Sequence, residues 1–397
     1  MDRPRYNRTP RSRWTCTLDS FVGPIGRGAR TPFPAREVIR SVSALDRLAA
    51  ALERRSGRQT LFAVAVMNAI TGVGLGLANA AREFGQDAAL FRRCALLLVD
   101  GQTDFCGSLY SPLTALVGRP LTWVSPTTAF VGMSLIGIAV LITGVILDTR
   151  GRAPVDRVMV AIAALTFAPV VYELLLGQTT LLIAAAVYPV ARRADAFRNG
   201  IPLGFALALA PKPLLVPVLV WMIVWRRRSL TAALLTGALL TGIGIAVLGI
   251  DQYRAWLAVL MGAGLESVAG SFWLSLRDLG NYSLWPLDPA KLALAGVCGV
   301  ATIWTILRDA QRGFVAALLA GLLLAPYSLL YAFSILLLAV KPALAFAPRV
   351  TRVLALTAYL AGVPFAAFTA WSLAGLAATV PTGRGWNSQN PSIYSAG

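Results

Sequence analysis

The apolar residues of this chain come in blocks about as long as a bilayer is thick. Leu61–Ala80, Ser125–Leu147, Val158–Leu176, Leu230–Ile250, Leu292–Leu307 and Val353–Val380 are each at or near the length of a membrane span. A helix needs about 20 such residues to cross a hydrocarbon core of about 30 Å. Lipid offers no partner to backbone N–H and C=O groups, so only helices and closed barrels cross it. No ten-residue alternation of barrel strands recurs here. The expected fold class is therefore all-α, a polytopic integral membrane protein. Composition agrees: 57% of the 397 residues are apolar and 14% charged, against roughly 45–50% and 25% in soluble domains.

The net charge of +18 raises the question of nucleic acid, and its distribution answers it. Basic residues fall in short clusters between apolar blocks: Arg150, Arg152 and Arg157; Arg192, Arg193 and Arg198; Arg226, Arg227 and Arg228; Arg308 and Arg312; Lys341, Arg349 and Arg352. A groove-binding patch would not be divided by hydrophobic spans, so no nucleic-acid partner is expected. The clusters instead follow the positive-inside rule. With the N-terminus and all clusters on the cytoplasmic side, that side holds 27 of the 36 basic residues and nine of the 18 acidic ones. The other side is then neutral. The expected location is the plasma or inner membrane, N-terminus cytoplasmic, facing membrane lipids throughout.

Keeping every cluster on one side forces hairpins. The apolar stretch between Arg198 and Arg226 must turn at Pro211-Lys212-Pro213, Val158–Ala191 at Gly177-Gln178, and Phe314–Val340 at Pro326-Tyr327-Ser328. In the first of these the legs are only about 10–13 residues long and fall short of a full crossing. Non-helical backbone at membrane depth is tolerated where it lines a cavity or is buried in protein. Three turn tips on one side therefore imply an extracytoplasmic cavity, within about nine to eleven transmembrane or half-membrane helices. Residues 1–58 form an Arg-rich cytoplasmic tail, expected to be disordered but for an amphipathic helix over 41–58 on the inner membrane surface. The transmembrane domain is read as 59–380, and 381–397 as a flexible extracytoplasmic tail.

The chain has no histidine, which excludes a His base, a His-ligated metal and a Ser-His-Asp triad. No metal and no cofactor is expected. Of the four cysteines, Cys94 and Cys106 fall on the outer side; pairing and two free thiols both remain open. Gly72, Gly74 and Gly76 lie in an apolar span, where close helix packing is the better reading than a phosphate loop, which needs a preceding strand.

Several short motifs occur in an order that resembles one family. Asp87 to Pro112 reads as an Asp, a helical stretch, a Gly and then Tyr110-Ser111-Pro112. Leu176-Gly177-Gln178-Thr179-Thr180, Ala210-Pro211-Lys212-Pro213 before Arg226-Arg227-Arg228, Gly280-Asn281-Tyr282-Ser283 and Ala325-Pro326-Tyr327-Ser328 through Tyr331 follow. Over roughly residues 60–340 this resembles glycosyltransferase family 87, polyprenyl-phosphate-dependent enzymes of the GT-C superfamily that include mannosyl- and arabinofuranosyltransferases. Thr180 stands where the family usually has Asn, Ala332 where some members have Asp, and the His that many members carry after this segment is missing.

The resemblance implies inverting transfer of a hexose, mannose by family frequency, from a polyprenyl-phosphate donor to an extracytoplasmic glycan or glycolipid acceptor. Such chemistry needs a carboxylate to take the acceptor proton and cationic groups for the departing phosphate. Asp87 is the candidate base, with Glu83 and Glu173 as secondary acids. Lys212, Arg92 and Arg93 are candidates for the phosphate, and Gln178, Tyr110, Asn281, Tyr327 and Tyr331 for substrate contacts. Plainer roles stay open: Asp87 as a helix N-cap, Lys212 paired with Glu173, Arg92 and Arg93 on lipid headgroups, Gln178 capping its hairpin. So does a transporter or lipid-handling protein using the same cavity, or an inactive scaffold.

Overall fold

A computed structural model describes residues 66, 70, 85–99, 110–152, 154–259, 289–325, 330–346 and 366–380, all within the compact unit Ala44–Gly397. Both tails, the 41–58 helix, Glu83, Cys106, Asn281 and Tyr327 lie outside these residues. The described residues are helical, with no strand among them. In chain order they form α1 (Gln86–Val99), α2 (Pro112–Val117), α3 (Pro126–Asp148), α4 (Pro154–Leu165), α5 (Ala168–Leu176), α6 (Thr180–Arg192) and α7 (Phe197–Leu209). There follow α8 (Val216–Trp225), α9 (Arg227–Leu248), α10 (Ile250–Ala258), α11 (Pro289–Arg308), α12 (Ala310–Leu324), α13 (Leu337–Phe346) and α14 (Ala366–Thr379).

Among the described residues three helices, α3, α9 and α11, are long and apolar enough to cross a membrane. Each leaves large apolar side chains exposed: Leu135 on α3, Leu239 on α9 and Val300 on α11 are 59, 65 and 69% accessible. Such faces suit lipid rather than water. A fourth span is possible in α4 and α5, which are bent by 61° at their junction. Sequence periodicity does not reveal that bend: Val158–Leu176 reads as one block, yet Pro169 near the start of α5 keeps its first turn from continuing α4. The central pillar is α12, buried from Gly313 through Leu323, as expected of a helix apolar on every side.

The hairpin at Lys212 is visible in the packing. Gly200 on α7 meets the Ser229 backbone on α9, and Gly204 meets Ala233 and Thr236. The contacts advance together along both helices, so α7 and α9 run parallel and in direct contact, and α8, which links them in sequence, runs back. Gly200 and Gly204 are the small residues of a G-x-x-x-G face that lets two helix backbones approach. A Cβ at either position would collide with the α9 backbone.

Among the described residues, members of the basic clusters around Arg192, Arg226, Arg312 and Lys341 make their contacts at one end of the bundle. Asp148 ends α3 and binds Arg192 at 3.0 Å and Lys341 at 3.6 Å. The Asp195 carboxylate accepts from the Arg228 and Ser229 N–H groups at 3.1 and 2.9 Å. The Arg226 Nε donates to the Val190 carbonyl at 3.1 Å. The Trp225 and Trp221 indoles donate to Ile306 and Ala310 carbonyls at 2.6 and 2.8 Å. Asp309 then caps α12 through the Gln311 and Arg312 N–H groups.

Candidate active site

At the other end of α6 and α7, buried polar residues from five segments meet. Gly177 closes α5 with φ +71°, a conformation open to glycine at little cost. A Cβ there would lie 2.9 Å from the Ala88 Cβ, so the reversal rests directly on the first turn of α1. Gly85, with φ +70°, ties that turn back to α5 through its N–H to the Leu175 carbonyl at 2.9 Å. These two glycines set Gln178 across from Asp87. The Gln178 Nε2 donates to Asp87 Oδ2, and the Tyr110 hydroxyl donates to Gln178 Oε1 at 2.5 Å. Both ends of the amide are engaged, which fixes its orientation.

Tyr110 is held by its successors. Pro211 and Pro213 have no N–H to offer the last carbonyls of α7. Those carbonyls are served from outside: the Ser111 hydroxyl donates to Ala208, its N–H to Leu209 at 3.2 Å, and the Thr114 hydroxyl to Leu209 at 2.5 Å. The Tyr-Ser-Pro run thus clamps the Lys212 turn from one side. From another, Gly321 on α12 lies so close to the Leu214 carbonyl that a side chain would collide with it.

Lys212 is 8% exposed. Its ammonium donates to the Thr180 hydroxyl at 2.8 Å and sits 4.8 Å from the Tyr331 ring centre and 5.9 Å from that of Tyr110. The carboxylates of Glu173 and Asp87 lie within electrostatic reach. An ammonium carries three donors, and Thr180 takes the only hydrogen bond it makes to the described residues. Glu173, 1% exposed, accepts from the Leu181 N–H and from the Ser334 hydroxyl. It thereby caps the start of α6, where a negative charge is favoured. Tyr172 stacks on Tyr331 with ring centres 6.5 Å apart.

Asp87, Gln178, Tyr110, Lys212, Tyr331 and Glu173, all singled out from sequence, therefore lie in one cluster. Three simple readings change. Asp87 is not the N-cap: α1 begins at Gln86, and Asp87 sits in its first turn with its carboxylate on Gln178. Gln178 caps its hairpin only through a long bond, the Thr179 N–H to its Oε1 at 3.4 Å, and its shorter bonds go to Asp87 and Tyr110. Glu173 and Lys212 make no direct ion pair; Thr180 stands between them. None of the contacts that join the cluster involves Arg92 or Arg93. The Arg92 Nε donates to the Val124 carbonyl at 3.3 Å, and Arg93 is exposed. Sequence reasoning missed Ser334, for which no motif exists, and the anchoring role of Ser111 and Thr114, whose three-residue spacing was the available signal. Cys94 on α1 is disulfide-bonded, to a residue outside the described set. Among the described residues no group of three or more His, Cys, Asp or Glu side chains is placed to hold a metal.

The family model of glycosyltransferase family 87 matches residues 109–332, more than half of the chain. The chain belongs to that family. It is a membrane glycosyltransferase by this membership. The match to family 87 takes in Tyr110, Gly177, Gln178, Lys212 and Tyr331 and stops short of Asp87, which joins them through the bond to Gln178. No curated protein and no solved structure matches the chain.

Proposed function

We propose that this family 87 member is an inverting GT-C-type enzyme that moves a hexose, with mannose as the first candidate, from a polyprenyl-phosphate donor to a hydroxyl of an extracytoplasmic glycan or lipid. The observation that carries this reading is the buried Lys212 ammonium, with donors left to give, beside the Asp87–Gln178–Tyr110 chain. An intramembrane charge is functional by default, and a phosphate is the anion that such chemistry releases.

In this reading the acceptor hydroxyl gives its proton to the Asp87 carboxylate as its oxygen bonds to the anomeric carbon. The bond from that carbon to the phosphate oxygen breaks on the opposite face, and polyprenyl phosphate leaves with one more negative charge than it carried in the donor. Lys212 meets that developing charge. Gln178 orients the base, Tyr110 orients Gln178, and the tyrosine faces of Tyr331 and Tyr172 border the sugar. Phosphate leaves without protonation, so no second acid is required. The positive-inside charge pattern and the disulfide on α1, a bond of oxidising compartments, support an extracytoplasmic site in the cell envelope.

The test is sugar transfer from radiolabelled polyprenyl-phosphate mannose in membranes carrying the chain or Asp87→Asn at equal expression. Transfer lost in the variant, by about 10²- to 10⁴-fold, is the expected result. Transfer that survives intact would move the base elsewhere, to Glu83 first.

A further inference from the structure

Glu173 has no part in the mechanism above, yet it is among the most deeply buried charged side chains described, at 1% exposure. A buried carboxylate is costly unless it is paired and hydrogen-bonded. Its hydrogen bonds come from the α6 backbone and Ser334, and the nearby cation is Lys212. Three elements depend on it at once. It sits in the last turn of α5, four residues before Gly177. It holds the first turn of α6, where Thr180 presents its hydroxyl to Lys212. Through Ser334 it grips the 3-10 segment Leu330–Leu336, which carries Tyr331 over the same ammonium.

We propose that Glu173 is a positioning residue for the donor phosphate: acting through Thr180 and Ser334, and as a counter-charge at a distance, it keeps Lys212 charged and aimed at the phosphate. It touches neither sugar nor acceptor. The inference rests on Lys212 being the phosphate ligand, as read above.

The sign of one measurement decides it. A carboxylate that merely sat near the site would repel an anion, and neutralising it would tighten phosphate binding. A carboxylate that positions the lysine does the reverse. Glu173→Gln suits the test because the amide keeps an acceptor for the Leu181 N–H and a polar partner for Ser334 while losing the charge. Binding of a polyprenyl monophosphate to the purified full chain in detergent needs no knowledge of the acceptor. Glu173→Gln is expected to weaken it at least fivefold and Lys212→Met more. In the Lys212→Met background, Glu173→Gln should change it less than twofold. Melting adds a readout that does not depend on ligand: Glu173→Gln leaves the buried Lys212 with Asp87 as its remaining counter-charge, Lys212→Met leaves the buried carboxylates without their cation, each single variant melts lower, and the double variant recovers part of the loss. Ser334→Ala, which keeps both charges, should weaken binding less than Glu173→Gln does.

Tighter or unchanged binding in Glu173→Gln, with Lys212→Met weakened, overturns the inference and leaves the phosphate role of Lys212 standing. Unchanged binding in Lys212→Met overturns that role, and the inference with it. A double variant no more stable than Lys212→Met refutes the charge coupling.

Discussion

The two ends of this bundle hold the same kinds of charged residue in opposite circumstances. At the basic end, Asp148, Asp195 and Asp309 are only partly buried, and each is matched to cations or helix starts. At the other end, Asp87, Glu173 and Lys212 are at most 8% exposed, and the ammonium keeps donors in hand. Charges at the first end keep part of their surface exposed, so they hold helices together at little cost. Burying charges at the second end is expensive, even where the carboxylates accept hydrogen bonds from neighbouring segments. In the function proposed above, that contrast separates the end that secures the bundle from the end that takes the donor.

The strongest way to break the comparison is to remove one aspartate from each end. Asp87→Asn should cost about 10²- to 10⁴-fold in sugar transfer with little change in melting temperature. Asp148→Asn should leave transfer within about twofold and cost about 1 kcal/mol of stability, as partly exposed ion pairs do. Radiolabel transfer and thermal melting of the purified variants read both. Equal losses of activity at the two ends would mean that the basic end is not merely a scaffold.

A smaller effect sharpens the picture inside the site. Gln178→Leu removes the donor to Asp87 and frees Tyr110 while keeping the apolar bulk. Misplacing a base by about 1 Å costs up to about 10²-fold, so a fall of about 10- to 100-fold in kcat is expected, with donor KM changed by less than about threefold. Tyr110→Phe, one step further from the base, should fall less. A rise in donor KM at constant kcat would instead make Gln178 a sugar contact.

The reach of the sequence follows from the physics that wrote each feature. Span blocks and charge clusters are one-dimensional signals, and they led to the helical fold and to the hairpin at Lys212, now seen in the parallel run of α7 and α9. Motif residues on turn tips, Gln178 and Lys212, were legible because glycine and proline mark the tips. The bend between α4 and α5 was hidden inside a continuous apolar run. Ser334 was hidden too: a hydroxyl becomes a partner for Glu173 only when a segment 161 residues away folds against it. Gly200 and Gly204 could have been read as a packing face, since their four-residue spacing is plain in the chain.

The smallest expected effect lies at the basic end, where Asp195 stands outside the spans between α6 and α7. Burial alone pushes its carboxyl up, but hydrogen bonds from the Ser229 N–H and hydroxyl and the Arg228 N–H, with the Arg226 charge, outweigh it. The net result is below the usual 3.8. A carboxylate held low in the folded state stabilises it at pH values above the unfolded pKa, and the contribution fades as pH falls through the folded value. Asp195 acts as a remote N-cap for α9, so Asp195→Ala should cost about 1 kcal/mol with transfer unchanged. The gap in melting temperature from the parent should be constant from neutral pH down to about 5 and narrow below about 4, where ordinary aspartates begin to protonate. A gap that persists undiminished at the acid end would assign the stabilisation to shape and the remaining hydrogen bonds rather than to the charge. A gap that widens would contradict a lowered Asp195.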